Sequence, residues 1–180
     1  MGKIKSNSKH PELIYFLQAL LFLTVNVIIL ISTNLIGYLL LSVGFYKGGS
    51  FYSKKTMNLS SVLVFLGVVE LFSPMIFQDE KIIFYLLGII SLCIELILVN
   101  CIVYGVEKIE AEENMELYSS DLKFVFRIMA IVQVLAFIAS CINFASMMLF
   151  GILASLSSVA LFIVFCRTYK KYLKGETSAD

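Results

Sequence analysis

Residues 13–46 read LIYFLQALLFLTVNVIILISTNLIGYLLLSVGFY, one continuous apolar stretch. As a single straight helix it would extend about 50 Å at 1.5 Å per residue, against a hydrocarbon core of roughly 30 Å. A polar triplet, Ser32-Thr33-Asn34, lies within it. All three side chains can bond to backbone at a helix end. The triplet therefore predicts a tight turn between two helices. On this reading the chain crosses a membrane six times; with residues 12–46 as one oblique helix it would cross five times.

The rest of the chain agrees with a membrane setting. Its hydrophobic fraction is 59%, its mean hydropathy is +0.92, and only 15% of its residues are charged. Soluble domains run at roughly 45–50% apolar. The fold class expected is all-α, a polytopic transmembrane helical bundle forming a single domain over 1–180. The spans fall at about 12–31, 34–52, 57–77, 82–105, 122–143 and 146–167. The stretch 106–121 reads as an acidic helical extension of the fourth span, with Ser119, Ser120 or Asp121 capping the fifth helix.

Charge placement tests the threading. With six spans and both termini cytoplasmic, Lys3, Lys5, Lys9, Lys47, Lys54, Lys55, Lys108, Lys123, Arg127, Arg167, Lys170, Lys171 and Lys174 lie inside. Those are thirteen of the fourteen basic residues, and only Lys81 lies outside. Five spans would strand the three N-terminal lysines outside, giving ten against four. The positive-inside rule favours six. The expected location is the cytoplasmic membrane, multi-pass. The tail after Arg167 is basic and is expected to meet anionic headgroups.

The N-terminal run is too long for a signal peptide's apolar region and has no A-x-A-like site, so it reads as a retained helix. MGKIKS fits the short myristoylation pattern by chance. The sequon at Asn58-Leu-Ser60 falls on the cytoplasmic side. Cys93, Cys101, Cys141 and Cys166 form no CxxC and read as buried apolar thiols.

Helices in lipid associate through small residues and interhelical hydrogen bonds. Gly151, Ala154, Ser155 and Ser158 make such a packing stripe on the sixth helix. Gln133, Ala136, Ser140 and Asn143 mark the fifth. Gly67 and Glu70 share a face on the third, and Gly88, Ser91 and Glu95 share one on the fourth, so both glutamates point into the bundle.

An intramembrane charge costs about 2.5–3.5 kcal/mol on insertion scales and marks a site to be explained. Depth counting at 1.5 Å per residue separates Glu70 and Glu95 by roughly 10 Å. It places Arg127 level with Glu95, which predicts an intramembrane Glu95–Arg127 ion pair. Glu70 stands toward the outer side, level with Asn26. Pro74 is expected to kink or end the helix just beyond it. Glu70 and Asn26 are then the ligand, ion or proton candidates.

The sole histidine, His10, lies outside the spans, and the three aspartates do too. HExxH sites, aspartyl pairs, metal sites and base-activated cysteines are not expected, and neither is a cofactor. The chain reads as non-enzymatic. Its partners are the lipid bilayer and, as a second candidate, another membrane protein. No nucleic-acid partner is expected, and the sequence names no small-molecule ligand.

In size and threading the chain looks like the substrate-binding components of energy-coupling-factor vitamin transporters. That resemblance implies a membrane-embedded, transport-related subunit, although the AxxxA-like first helix of those proteins is absent. The alternative is an accessory protein of the kind bacteriocin immunity proteins exemplify, binding another membrane protein or a membrane-active peptide.

Overall fold

The apolar stretch that opens the chain is two helices. A computed structural model describes residues 9–29, 34–76, 81–142 and 144–178. In it α1 spans Glu12–Ile29 and α2 spans Asn34–Lys47. Ser32 and Thr33 of the expected turn lie outside the described residues, and Asn34 opens α2. A 3-10 turn at Gly49–Phe51 follows, then α3 (Lys54–Ile76), α4 (Lys81–Glu113), α5 (Ser119–Ser140) and α6 (Phe144–Ser178). The described chain is all-helical.

Several expected boundaries shift, each for a local reason. The second span was drawn to residue 52, but α2 stops at Lys47. The chain folds back there so that Tyr52 is buried. Ser53 Oγ then accepts the Thr56 N–H at 3.2 Å, starting α3 as a cap should. Pro74 does not end α3, which continues to Ile76. A proline deletes only one helical bond, and apolar surroundings offer the other backbone groups no alternative partner.

The acidic extension of α4 is helical as far as Glu113 and no farther. Asn114 and Tyr118 take left-handed backbone angles, φ 51° and 60°. No serine side chain caps α5. Instead Glu110 Oε2 accepts the Ser119 N–H at 3.1 Å, setting a carboxylate at the helix's positive end.

Each helix packs on its neighbours in sequence, and α1 packs on α6, which closes a six-membered ring. Among the described residues, α3, α4, α5 and α6 are long and apolar enough to cross a membrane. Their apolar windows are only 17% to 33% buried within the protein. Phe65, Ile131, Leu149 and Leu156 are each more than half exposed. So much outward apolar surface suits lipid rather than water. The helices α1 and α2 are shorter; fourteen residues of α2 rise about 21 Å.

One end of the ring is polar. Lys9 reaches both Glu113 oxygens at 3.1 Å, and Lys171 reaches Glu116 at 3.1 Å. Both described ends of the chain therefore meet the α4–α5 connection. The tail is not a loose basic segment. It continues α6, with Tyr172 buried and Thr168 Oγ1 donating to the Leu117 carbonyl at 2.9 Å. Beneath lies a nest of rings: Phe16, Phe45 and Tyr52 stand 4.9–5.7 Å apart. Gly44 leaves room for Phe16, and Gly105 leaves room for the Tyr52 hydroxyl, at positions a Cβ would overlap.

Candidate functional site

Halfway along the ring the apolar packing is interrupted by polar side chains. Glu95 sits fourteen steps into α4 (81 to 95), about 21 Å from its start. Tyr38 of α2, 2% exposed, donates its hydroxyl to Glu95 Oε2 at 3.2 Å. Gly67 of α3 makes that contact feasible, because a Cβ there would come within 2.8 Å of the Tyr38 ring. Glu70 lies one turn of α3 beyond Gly67. It faces Ser91 of α4, whose buried Oγ makes no hydrogen bond of normal geometry. The Glu70 charge also acts on both Tyr38 and Glu95.

On its other side Glu95 borders a small cavity of about 20 Å³. That is room for about one water molecule. Thr24 of α1, Gln133 of α5 and Ser158 of α6 supply its remaining polar lining, with Leu20, Val99 and Met129 among the apolar walls. Gln133 Nε2 donates to Ser158 Oγ at 3.4 Å. Gln133 Oε1 is buried and accepts no hydrogen bond. Glu95 and Ser158 stand at equal steps into α4 and α6 (81 to 95, 144 to 158), which is why the ring brings them level.

The structure thus gathers Glu70, Glu95 and Ser158 around one centre. Arg127 is not part of it. Arg127 is exposed on α5, the ion pairs among the described residues do not include it, and Glu95 is held by Tyr38 instead. Asn26 falls within α1, and its side chain lies outside the described residues. Of the packing stripe, Ala154 and Ser158 are buried. Ser155 turns back on its own helix, bonding the Gly151 carbonyl at 2.9 Å, and Gly151 faces open space.

Sequence reasoning missed Tyr38 and Thr24. Tyr38 had a readable signal: a phenol inside an apolar run, flanked by Gly37. Thr24 is one of several hydroxyls that could equally have bonded its own helix.

A second cavity, about 770 Å³, opens at the polar end between the start of α3 and the end of α4. Phe51, Tyr52, Thr56, Asn100, Tyr104 and Lys108 are among its lining. The Tyr52 hydroxyl is buried there without a partner. Burial first, then the charge of Glu12, hold its phenol far above the usual range, so it stays a protonated donor. Next to it His10 Nδ1 and Glu12 Oε1 are 2.9 Å apart, and the imidazole stands edge-on to Phe51 and Tyr172. The single histidine thus fastens the N-terminal segment. Among the described residues no three His, Cys, Asp or Glu side chains converge as a metal site.

No protein-family model matches this chain, and no curated protein or solved structure matches it either.

Proposed function

We propose that the chain is a multi-pass protein of the cytoplasmic membrane, crossing six times with both ends on the cytoplasmic side, and that it serves as a transport-related subunit working through the polar centre at Glu95. The observation that carries this reading is Glu95 itself. It is an ionisable group inside the apolar ring, beside a polar cavity, with no cation partner among the described residues. A centre kept only for structural specificity would have its polar groups paired, because an unpaired one costs about 1–3 kcal/mol. Here Gln133 Oε1 is left open. An open acceptor beside a carboxylate suits a site that takes up and releases an occupant.

The proposed orientation is supported by the polar end, where Lys9 pairs with Glu113 at the end of α4 and Lys171 with Glu116 in the α4–α5 connection. The cytoplasm is the side on which basic residues gather. The reading is non-enzymatic, on the sequence's lack of a histidine or aspartate within the spans. Cavity size narrows the occupant. Organic ligands fill roughly 300–1,000 Å³, and the central cavity holds about one water's volume.

The test is complementation. A strain lacking the chain is compared for solute uptake after restoration with wild type or Glu95→Gln at matched membrane levels. Loss of uptake in the variant supports the reading; full restoration by it rejects the reading.

A second reading, an accessory protein that binds a membrane partner or peptide, is favoured by the groove at the polar end. The groove is large enough for a side-chain cluster and holds an unpartnered Tyr52 donor. It predicts that one membrane protein co-purifies in mild detergent and is lost on Tyr104→Ala plus Asn100→Ala. Isolation of the chain alone counts against it.

A further inference from the structure

We infer that the cavity beside Glu95 binds one dehydrated monovalent cation of about sodium size, held by the Glu95 carboxylate, the Gln133 amide oxygen and the hydroxyls of Thr24 and Ser158. A proton on Glu95 is the competing occupant. The inference rests on the transport reading of this same centre and names its ligand.

Donor chemistry comes first. Every polar group lining the cavity can present oxygen, and none offers imidazole or thiolate. Oxygen-only sites select hard cations over transition metals. Charge comes second. Glu95 is the one carboxylate in the lining, so a single positive charge makes the site neutral. A divalent ion would leave excess charge in apolar surroundings, which is costly. Size comes third. About 20 Å³ admits one water-sized body, too little for magnesium, which keeps several of its waters.

Gln133 supplies the independent observation. Its side chain is 9% exposed and its amide nitrogen is already committed to Ser158. Gln133 lines the cavity, and its buried Oε1 is an acceptor with nothing to accept. A cation in the cavity satisfies that oxygen, and carboxylate plus cation is neutral.

Few other charges intervene. From α2 the group facing Glu95 is the Tyr38 phenol, and from α3 it is Glu70. The residues facing it from α1, α5 and α6 across the cavity (Thr24, Met129, Gln133, Ser158, Leu161) carry no charge. Glu70 is not part of the cavity lining and supplies none of its ligands.

The full chain in detergent tests this by equilibrium binding of radioactive sodium and by thermal unfolding, in sodium chloride against N-methylglucamine chloride at equal ionic strength. The expected result is saturable binding of about one sodium per chain, a raised unfolding midpoint in sodium, and a weaker effect of potassium. Acidification competes, so more sodium is needed for the same occupancy at lower pH. Glu95→Gln abolishes the sodium effect. Gln133→Leu and Thr24→Val each weaken apparent affinity about tenfold, the loss of roughly one ligand. Thr24→Val swaps a hydroxyl for a methyl of similar size and is the variant that preserves folding.

No sodium dependence in well-folded wild type overturns the inference and leaves the cavity to water or to the Glu95 proton. An undiminished sodium effect in Glu95→Gln and Thr24→Val overturns it as well. The transport reading fails separately. Saturable sodium binding with normal uptake in Glu95→Gln cells would leave a structural cation and remove the transport role.

Discussion

The polar end of the ring and its centre are built on opposite terms. At the polar end most groups are answered, the Tyr52 hydroxyl in the groove excepted. Lys9 finds Glu113, Lys123 finds Glu107, Lys171 finds Glu116, and Thr168 finds the Leu117 carbonyl. Phe16, Phe45, Phe165 and Tyr172 are essentially inaccessible there. At the centre, polar groups are part-buried or buried and only partly answered: Glu95 by Tyr38, Gln133 on one side only. Beyond the centre, toward the start of α4 and α6, Ile82, Leu86, Ile90, Leu149 and Leu153 are exposed. On the proposed reading, the centre is where an occupant enters.

Substitutions can break this contrast. The largest effect belongs to the ring nest. Phe16→Ala removes a fully buried ring from α1 and is expected to cost about 3–5 kcal/mol, read as loss of folded protein in a denaturant or thermal series. The glycines offer a matched pair. Gly105→Ala drives a methyl into the Tyr52 hydroxyl and costs about 1–3 kcal/mol. Gly151→Ala meets nothing within 4 Å, and relieving a helical glycine gains about 0.5–1 kcal/mol. If both alanines behave alike, the division into a tight end and an open one is wrong.

Thr168→Val breaks a buried hydrogen bond that ties α6 to the α4–α5 connection. It should cost about 1–2 kcal/mol and raise proteolysis near residues 114–118. Tyr38→Phe is expected to cost only about 0.6 kcal/mol of stability, the usual worth of a hydrogen bond inside a membrane bundle. Its functional effect should exceed that. An equal loss of folding and function would reduce Tyr38 to packing. The smallest effect is Lys9→Ala: its pair is largely exposed, and a change within about 0.5 kcal/mol is expected.

What the sequence made legible follows from which forces act locally. Helix number came from length and hydropathy, and Ser32-Thr33-Asn34 was enough to divide residues 13–46. Glu70 and Glu95 were legible as inward-facing because Gly67 and Ser91 mark their faces. Glu95's partner was not legible. Depth counting ranked Arg127 by level alone, but level does not say which helices touch on which face. Tyr38 meets Glu95 because Gly67 brings α3 close to the Tyr38 ring. That is a tertiary fact with no trace in spacing. Pro74 was expected to kink or end α3, and the helix continues through it to Ile76. The C-terminal lysines look like a headgroup-binding tail until Glu116 and Leu117 are known to lie beside them.

The central claim is that Glu95 is the working group of the ring and Tyr38 its positioning partner. Its most direct test is solute uptake, sodium and proton movement included, in cells lacking the chain and restored with wild type or Glu95→Gln at equal membrane abundance. The account predicts that the variant folds, reaches the membrane and fails to restore uptake. Restoration indistinguishable from wild type would contradict it.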